Sequence, residues 1–260
     1  MDTCDHPVKL GSMLFTIVEP HAGHEVAYNR WYERDHFYAG CLIGPFNFAG
    51  KRWVATRDLK DRRVTSPVVS DDPARGSFLS MYWILDQHHD DWAGWAGKQV
   101  HVLHNNDRMF SHRDHVHTKL YRYGWALHRD EDGVPPELAC DHPWKGLIVM
   151  IGESTGDRAV WEDGLRSHVL RDIQAGSGIA LTLGFSVMPM ISDAPGVEAE
   201  QGSDRQWLHL HFLDRDPAEV WDRSLSPVSR LMADAGTANV QWTSPFHPTI
   251  PGTDTHLDNL

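Results

Sequence analysis

The sequence predicts an α+β protein in which two ferredoxin-like βαββαβ repeats close into a single α+β barrel. Two short apolar runs ending in Glu, Leu14 to Glu19 and Leu147 to Glu153, are each followed by a helical pattern. Two later strand-like runs end in Leu-Asp, at Asp86 and Asp214, and each leads into a helix carrying a Trp, Trp92 and Trp221. The Glu19 to Glu153 and Asp86 to Asp214 separations are nearly equal, so one unit occurs twice. A chain of 260 residues, 41% hydrophobic and 10% aromatic, has room and apolar surface for both.

In the first unit, strands are expected at 13–19, 46–56, 77–86 and 116–127, with helices at 24–38 and 89–108. The second repeats this order, with strands at 146–152, 179–191, 205–213 and 239–244 and helices at 157–174 and 217–234. Apolar runs of strand length mark the strands, and a 3.6-residue apolar period marks the helices. Asp216-Pro217-Ala218-Glu219 supplies an N-cap, a Pro at the first helical position and an early Glu. Pro227 predicts a bend or break in that helix.

The repeats are assigned to 1–128 and 145–246, with a tail at 247–260. Residues 129–144, holding Asp130, Glu131, Asp132, Gly133, Pro135 and Pro136, read as the linker. The stretches 57–76 and 192–204 join the second and third strands of each unit and can act as flaps over a pocket. Helices cover one face of each four-stranded sheet, so packing the two sheets face to face buries the other.

A formal charge of −12 disfavours nucleic acid and anionic membrane as partners. No apolar run is long enough to span a bilayer. The first residues hold Asp2, Asp5 and His6 without an apolar core, which predicts a cytoplasmic protein. Cys4, Cys41 and Cys140 are odd in number and widely spaced, so reduced thiols are expected. The chain has 18 His, five of them between His101 and His117.

At the first helix the sequence reads Glu25-Val26-Ala27-Tyr28-Asn29-Arg30-Trp31-Tyr32-Glu33-Arg34-Asp35-His36, followed by Gly44-Pro45 and Lys51-Arg52-Trp53. This N-x-W-Y-x-x-x-H helix resembles the dimeric α+β barrel superfamily, in particular its EthD-like branch. The resemblance implies a pseudo-dimeric barrel with a ligand cleft between each sheet and its helices. Members include cofactor-free monooxygenases, cyclases, isomerases and haem enzymes, so the fold does not select a reaction. The second unit departs from the motif, reading Val160-Trp161-Glu162-Asp163-Gly164-Leu165-Arg166-Ser167-His168, without the Asn and Tyr.

Asn29, Tyr32 and His36 recur at i, i+3 and i+7 and share one helical stripe. An imidazole can move a proton near neutral pH, while Tyr and Asn can hold a substrate oxygen. Alternatively, all three only fix the helix to the sheet. Trp31, Trp83, Tyr121, Tyr123, Trp207 and His209 are candidates to grip an aromatic or alicyclic ligand, or else half-buried sheet surface. His112, His115, His117 and His211 form H-x-H-type pairs suited to a metal, or are solvated strand-end histidines.

The leading expectation is a cofactor-independent lyase, isomerase or cyclase acting on a small hydrophobic oxygenated molecule. His36 is its acid or base, with Tyr32 and Asn29 as oxygen-binding partners. A haem- or divalent-metal-dependent oxidoreductase and a non-catalytic binding protein are the alternatives, and a homodimer of the whole chain stays open.

Overall fold

The computed structural model describes residues 8–154, 156–190, 197–225 and 238–260. The strands are β1 (Leu10–Pro20), β2 (Asn47–Val54), β3 (Phe78–Leu85) and β4 (Arg113–His128), then β5 (Gly146–Ser154), β6 (Ile179–Val187), β7 (Ser203–Leu213) and β8 (Ala238–Pro248). They close into a barrel in the order β1-β3-β2-β8-β5-β7-β6-β4. Each half contributes four contiguous strands in the same order, β4-β1-β3-β2 and β8-β5-β7-β6. The halves meet through antiparallel β4 with β6 and β2 with β8.

Alternation along each strand sends one set of side chains inward and the other toward the helices. Met13, Phe15, Trp53, Met81, Trp83, Leu210 and Phe212 fill the barrel with essentially no exposure. The outer face of the first sheet packs Tyr82 and Ile84 beneath the helical segments Glu25–Trp31, Tyr32–Leu42 and His89–Asn105. In the second half Met150, Trp207 and Leu213 lie with Trp161 and Leu165 from the segments Arg158–Gly164 and Leu165–Val169. Asp157 caps that helix by accepting from the Val160 amide, and Asp216 caps Pro217–Val220 through the Ala218 and Glu219 amides. Pro227 and Cys4 lie outside the described residues.

Two bulges break the strand alternation in β4. His117 pairs with Ile17 but His115 with Val18, leaving Val116 as the extra residue. His115 therefore faces the helices while His117 turns into the barrel and bonds to the Tyr121 hydroxyl at 2.8 Å. Gly124 is the extra residue between Tyr123 and Trp125, which pair with Phe185 and Gly184. Trp125 is thereby moved to the helical face, where its ring lies so close to Gly184 that a Cβ there would meet it at 2.2 Å.

The expected linker also closes one end of the barrel. Ala139, Cys140 and Trp144 are buried in the interior core. The Trp144 indole donates to the Ala139 carbonyl at 2.8 Å, and that of Trp83 to the Pro136 carbonyl at 2.9 Å. From the 57–76 stretch, Leu59 and Val69 join the same core. Cys41 and Cys140 are free, buried thiols. Among the described residues no helix is long and apolar enough to cross a membrane.

Candidate functional site

A cavity of about 1280 Å³ lies between the first sheet and its two helices. Thr16, Arg113, His115 and Thr118 bring polar groups to it from the sheet, and Tyr32 and His36 from the first helix, where Gly40 also lines it. Trp92, Ala93 and Ala96 on the second helix give an apolar wall, and Asp107, Asp114 and Arg75 also line it.

The first helix changes pitch to build this surface. From Tyr32 to Leu42 it is a π-helix, and the Ile43 amide reaches the Tyr38 carbonyl at 3.1 Å. Tyr32, His36 and Gly40, four residues apart, share one face of this segment and line the cavity together. A Cβ at residue 40 would meet the His36 ring at 2.7 Å, so glycine leaves the imidazole its place.

His36 stacks on Trp31, with centroids 4.5 Å apart, and meets Tyr32 edge-on at 5.2 Å. Its buried Nδ1 has no hydrogen-bond partner. Burial, reinforced by Arg113 and His115, lowers its pKa from 6.5 to about 3, so the ring is neutral. His115 is lowered to about 4 by burial and Arg113, and its Nδ1 lies 3.0 Å from the Thr118 hydroxyl. The Tyr32 hydroxyl meets that of Tyr82 at 2.9 Å, and the Arg52 guanidinium sits 4.7 Å from the Tyr32 ring centre. Burial raises the Tyr32 pKa. The Cys41 thiol, pushed up to about 12 by burial, is a poor nucleophile.

The expected site residues divide. His36 and Tyr32 line the cavity, and Trp31 supports it through the stack on His36. Asn29 is buried behind the helix, donating to the Thr253 carbonyl at 3.1 Å. Trp83 and Tyr121 are sealed in the barrel interior, with Tyr123 packed against that core. Trp207 and His209 lie under the second half's helices, their rings stacked at 4.4 Å. The side chain of His168 lies outside the described residues.

The histidines proposed as an alternative metal set do not meet. His112 stacks on His24 at 3.9 Å, His115 lines the cavity, and His117 is inside the barrel. His211 is buried in the second half, 3.0 Å from the Thr182 hydroxyl. Among the described residues no group of three or more His, Cys, Asp or Glu side chains is placed to hold a metal ion. Period-two alternation puts His115 and His117 together, and the bulge at Val116 separates them. Arg113 and Gly40 were not anticipated as site residues. The period of the first helix carried no sign of its π pitch, nor that Gly40 would leave room for the His36 ring.

No family model and no curated protein matches the chain. Solved structures share its fold. A protein provisionally assigned as a chlorite dismutase aligns with a TM-score of 0.51 and 11% identity, over 97% of this chain and 100% of its own. A dye-decolorizing peroxidase from Bacteroides thetaiotaomicron aligns with a TM-score of 0.51 and 12% identity, over 93% and 94%. A variant of Rhodococcus jostii DypB in complex with haem aligns at 0.48 and 13%, over 92% and 93%. At these identities the likeness supports the dimeric α+β barrel fold and stops short of its EthD-like branch. The expectation of a site without a cofactor does not stand beside these neighbours, one of which is a dye-decolorizing peroxidase.

Proposed function

We propose that the chain is a haem-dependent oxidoreductase acting on a small, largely apolar molecule in the first-half cavity. The observation that supports this best is His36, a neutral imidazole with a buried, unpartnered ring nitrogen at the wall of a cavity of about 1280 Å³. A metal takes the neutral form of histidine, and this ring stays neutral across the physiological range. The group fits what the cavity offers: volume, an apolar wall including Trp92, and a ring position kept open by Gly40.

His36 is the residue assigned to hold the iron, with Trp31 fixing the plane of its ring. Haem would supply one-electron and peroxide or dioxygen chemistry. The chain itself excludes water along the second helix and offers the Tyr32 hydroxyl and the neutral His115 ring to an oxygen of the substrate. Burial keeps the His115 ring unprotonated, so it can receive a hydrogen bond from a substrate hydroxyl. The reading extends to a cytoplasmic setting, where Cys41 and Cys140 stay reduced.

Hemin titration with a visible spectrum tests the proposal. The wild-type chain should bind one equivalent with a sharp, shifted Soret band. His36→Phe keeps a ring in that place and should lose the shifted band while melting within a few degrees of wild type. Identical hemin spectra for the two proteins, or no stoichiometric binding by the wild type, would remove haem ligation by His36.

A further inference from the structure

One of the cations that line the cavity has no carboxylate at ion-pair distance among the described residues. Two guanidinium groups line it, and Arg75 is spent on Asp114 at 3.0 Å. Asp114 also takes His21 at 3.2 Å. Arg113 has no carboxylate within ion-pair distance among the described residues; burial lowers its pKa, and the groups that oppose this are the Tyr28 and Tyr32 phenols. Its Nη1 donates to the Phe110 carbonyl, its Nη2 lies 3.5 Å from His115 Nε2, and its face covers the Trp31 ring at 5.0 Å. A guanidinium carries five N–H donors, so most of this group's capacity is unspent.

In this chain Asp and Glu outnumber Lys and Arg by 36 to 24. Arg30, Arg62, Arg108, Arg129 and Arg158 all have carboxylate partners. Arg63 lacks one, but its donors go to three backbone carbonyls and the Ser244 hydroxyl. Arg52 has unpartnered nitrogens, but it lies behind Tyr32, packed on the Tyr32 and Phe78 rings, and does not line the cavity. A half-buried cation facing a cavity without a partner costs free energy that a bound anion would restore. On the second helix Trp92, Ala93, Ala96 and Val100 give an apolar surface, with His101 and His104 lining the cavity further along.

We propose that the cavity takes an apolar carboxylic acid, its carboxylate paired with Arg113 and its hydrocarbon body against the Trp92 wall. This rests on the functional reading above and names the substrate class of that same cavity. Asp107 also lines the cavity and would repel an acid, while Asp114 is already matched by Arg75. An acid of this kind therefore seats at Arg113 rather than near Asp107. A carboxylate could also come from a haem propionate, so the test separates the two.

Calorimetric titration of the protein without haem, using 2-naphthoate and its uncharged analogue 2-naphthamide, reads the acid directly. The wild type should prefer the acid at least tenfold, Arg113→Gln should abolish that preference, and Arg113→Lys should keep part of it. Parallel titrations with hemin and hemin dimethyl ester, which lacks free carboxylates, should show equal affinities in wild type and Arg113→Gln. Two results overturn the assignment: no acid preference in the wild type, or one that survives in folded Arg113→Gln. A loss of hemin but not of its ester in Arg113→Gln would give Arg113 to the propionate instead, and overturn it too. Failure to bind hemin in either protein would count against the haem reading alone, because the naphthoate titration needs no haem.

Discussion

A histidine that cannot take up a proton near neutral pH behaves as a small aromatic with a lone pair, and among the described residues five are pushed furthest in that direction. His36, His117 and His211 are lowered to about 3 and His115 to about 4, in each case first by burial, and His209 falls well below 6.5. In the unfolded chain these rings protonate near 6.5, and in the folded chain only well below it. Between those values the unfolded state binds more protons. Their contribution is therefore complete above pH 6.5 and is lost as pH falls toward 4, by about 1.4 kcal/mol per pH unit for each ring. His209 isolates the effect, because it is wholly buried among Trp125, Trp161 and Trp207 and neither ring nitrogen has a partner. His209→Phe should flatten the acid limb of stability by about one proton while leaving the melting temperature at pH 7.5 equal or higher. A large drop at pH 7.5 would show that the ring nitrogens are needed. The richness in histidine was plain in the sequence, but burial, which decides what each ring does, was not.

Elements decide which of those residues meet. The Asn29, Tyr32, His36 stripe follows an α-helical period, but Tyr32, His36 and Gly40 are the residues of this helix that line the cavity, and Asn29 does not. Asn29 then serves the C-terminal tail. That tail is pinned to the first helix by Asn29 to Thr253, by Gly252 to Glu33 and by Arg30 to Asp254, with Leu257 buried against it. Removing the Asn29 amide leaves the Thr253 carbonyl without its donor, a loss of roughly 1 kcal/mol. Asn29→Ala should accordingly lower the melting temperature by a few degrees, and hemin and naphthoate affinities per folded molecule should stay within about twofold of wild type. A tenfold loss of either ligand with an unchanged melting temperature would return Asn29 to the site. The bulges at Val116 and Gly124 were likewise silent in the sequence, since an inserted residue leaves the composition of a strand unaltered while reversing its faces.

At the scale of the whole chain the repeat was the clearest signal, because the Leu-Asp strand ends and the following Trp residues recur at matching distances. The barrel follows physically, since each half leaves an inner face that only the other half can cover. In the first half that face carries Phe15, Trp53, Leu79 and Trp83, all without measurable exposure. The linker was legible as a turn at Asp130 to Gly133, but its role as a plug was not, because Cys140 and Trp144 lie among Pro and charged residues. A protease site engineered between Glu131 and Asp132, both exposed, separates covalent from packing contributions. The nicked protein should elute as one particle near 29.5 kDa and dissociate only in denaturant, because the β2 to β8 and β4 to β6 ladders and the shared interior hold the halves together. Residues 1–131 expressed alone should aggregate or pair with a second copy, exposing or mutually covering that aromatic face. A folded, monomeric first half with a cooperative melt would mean that its inner face needs no partner, and the single-chain barrel would lose its physical basis.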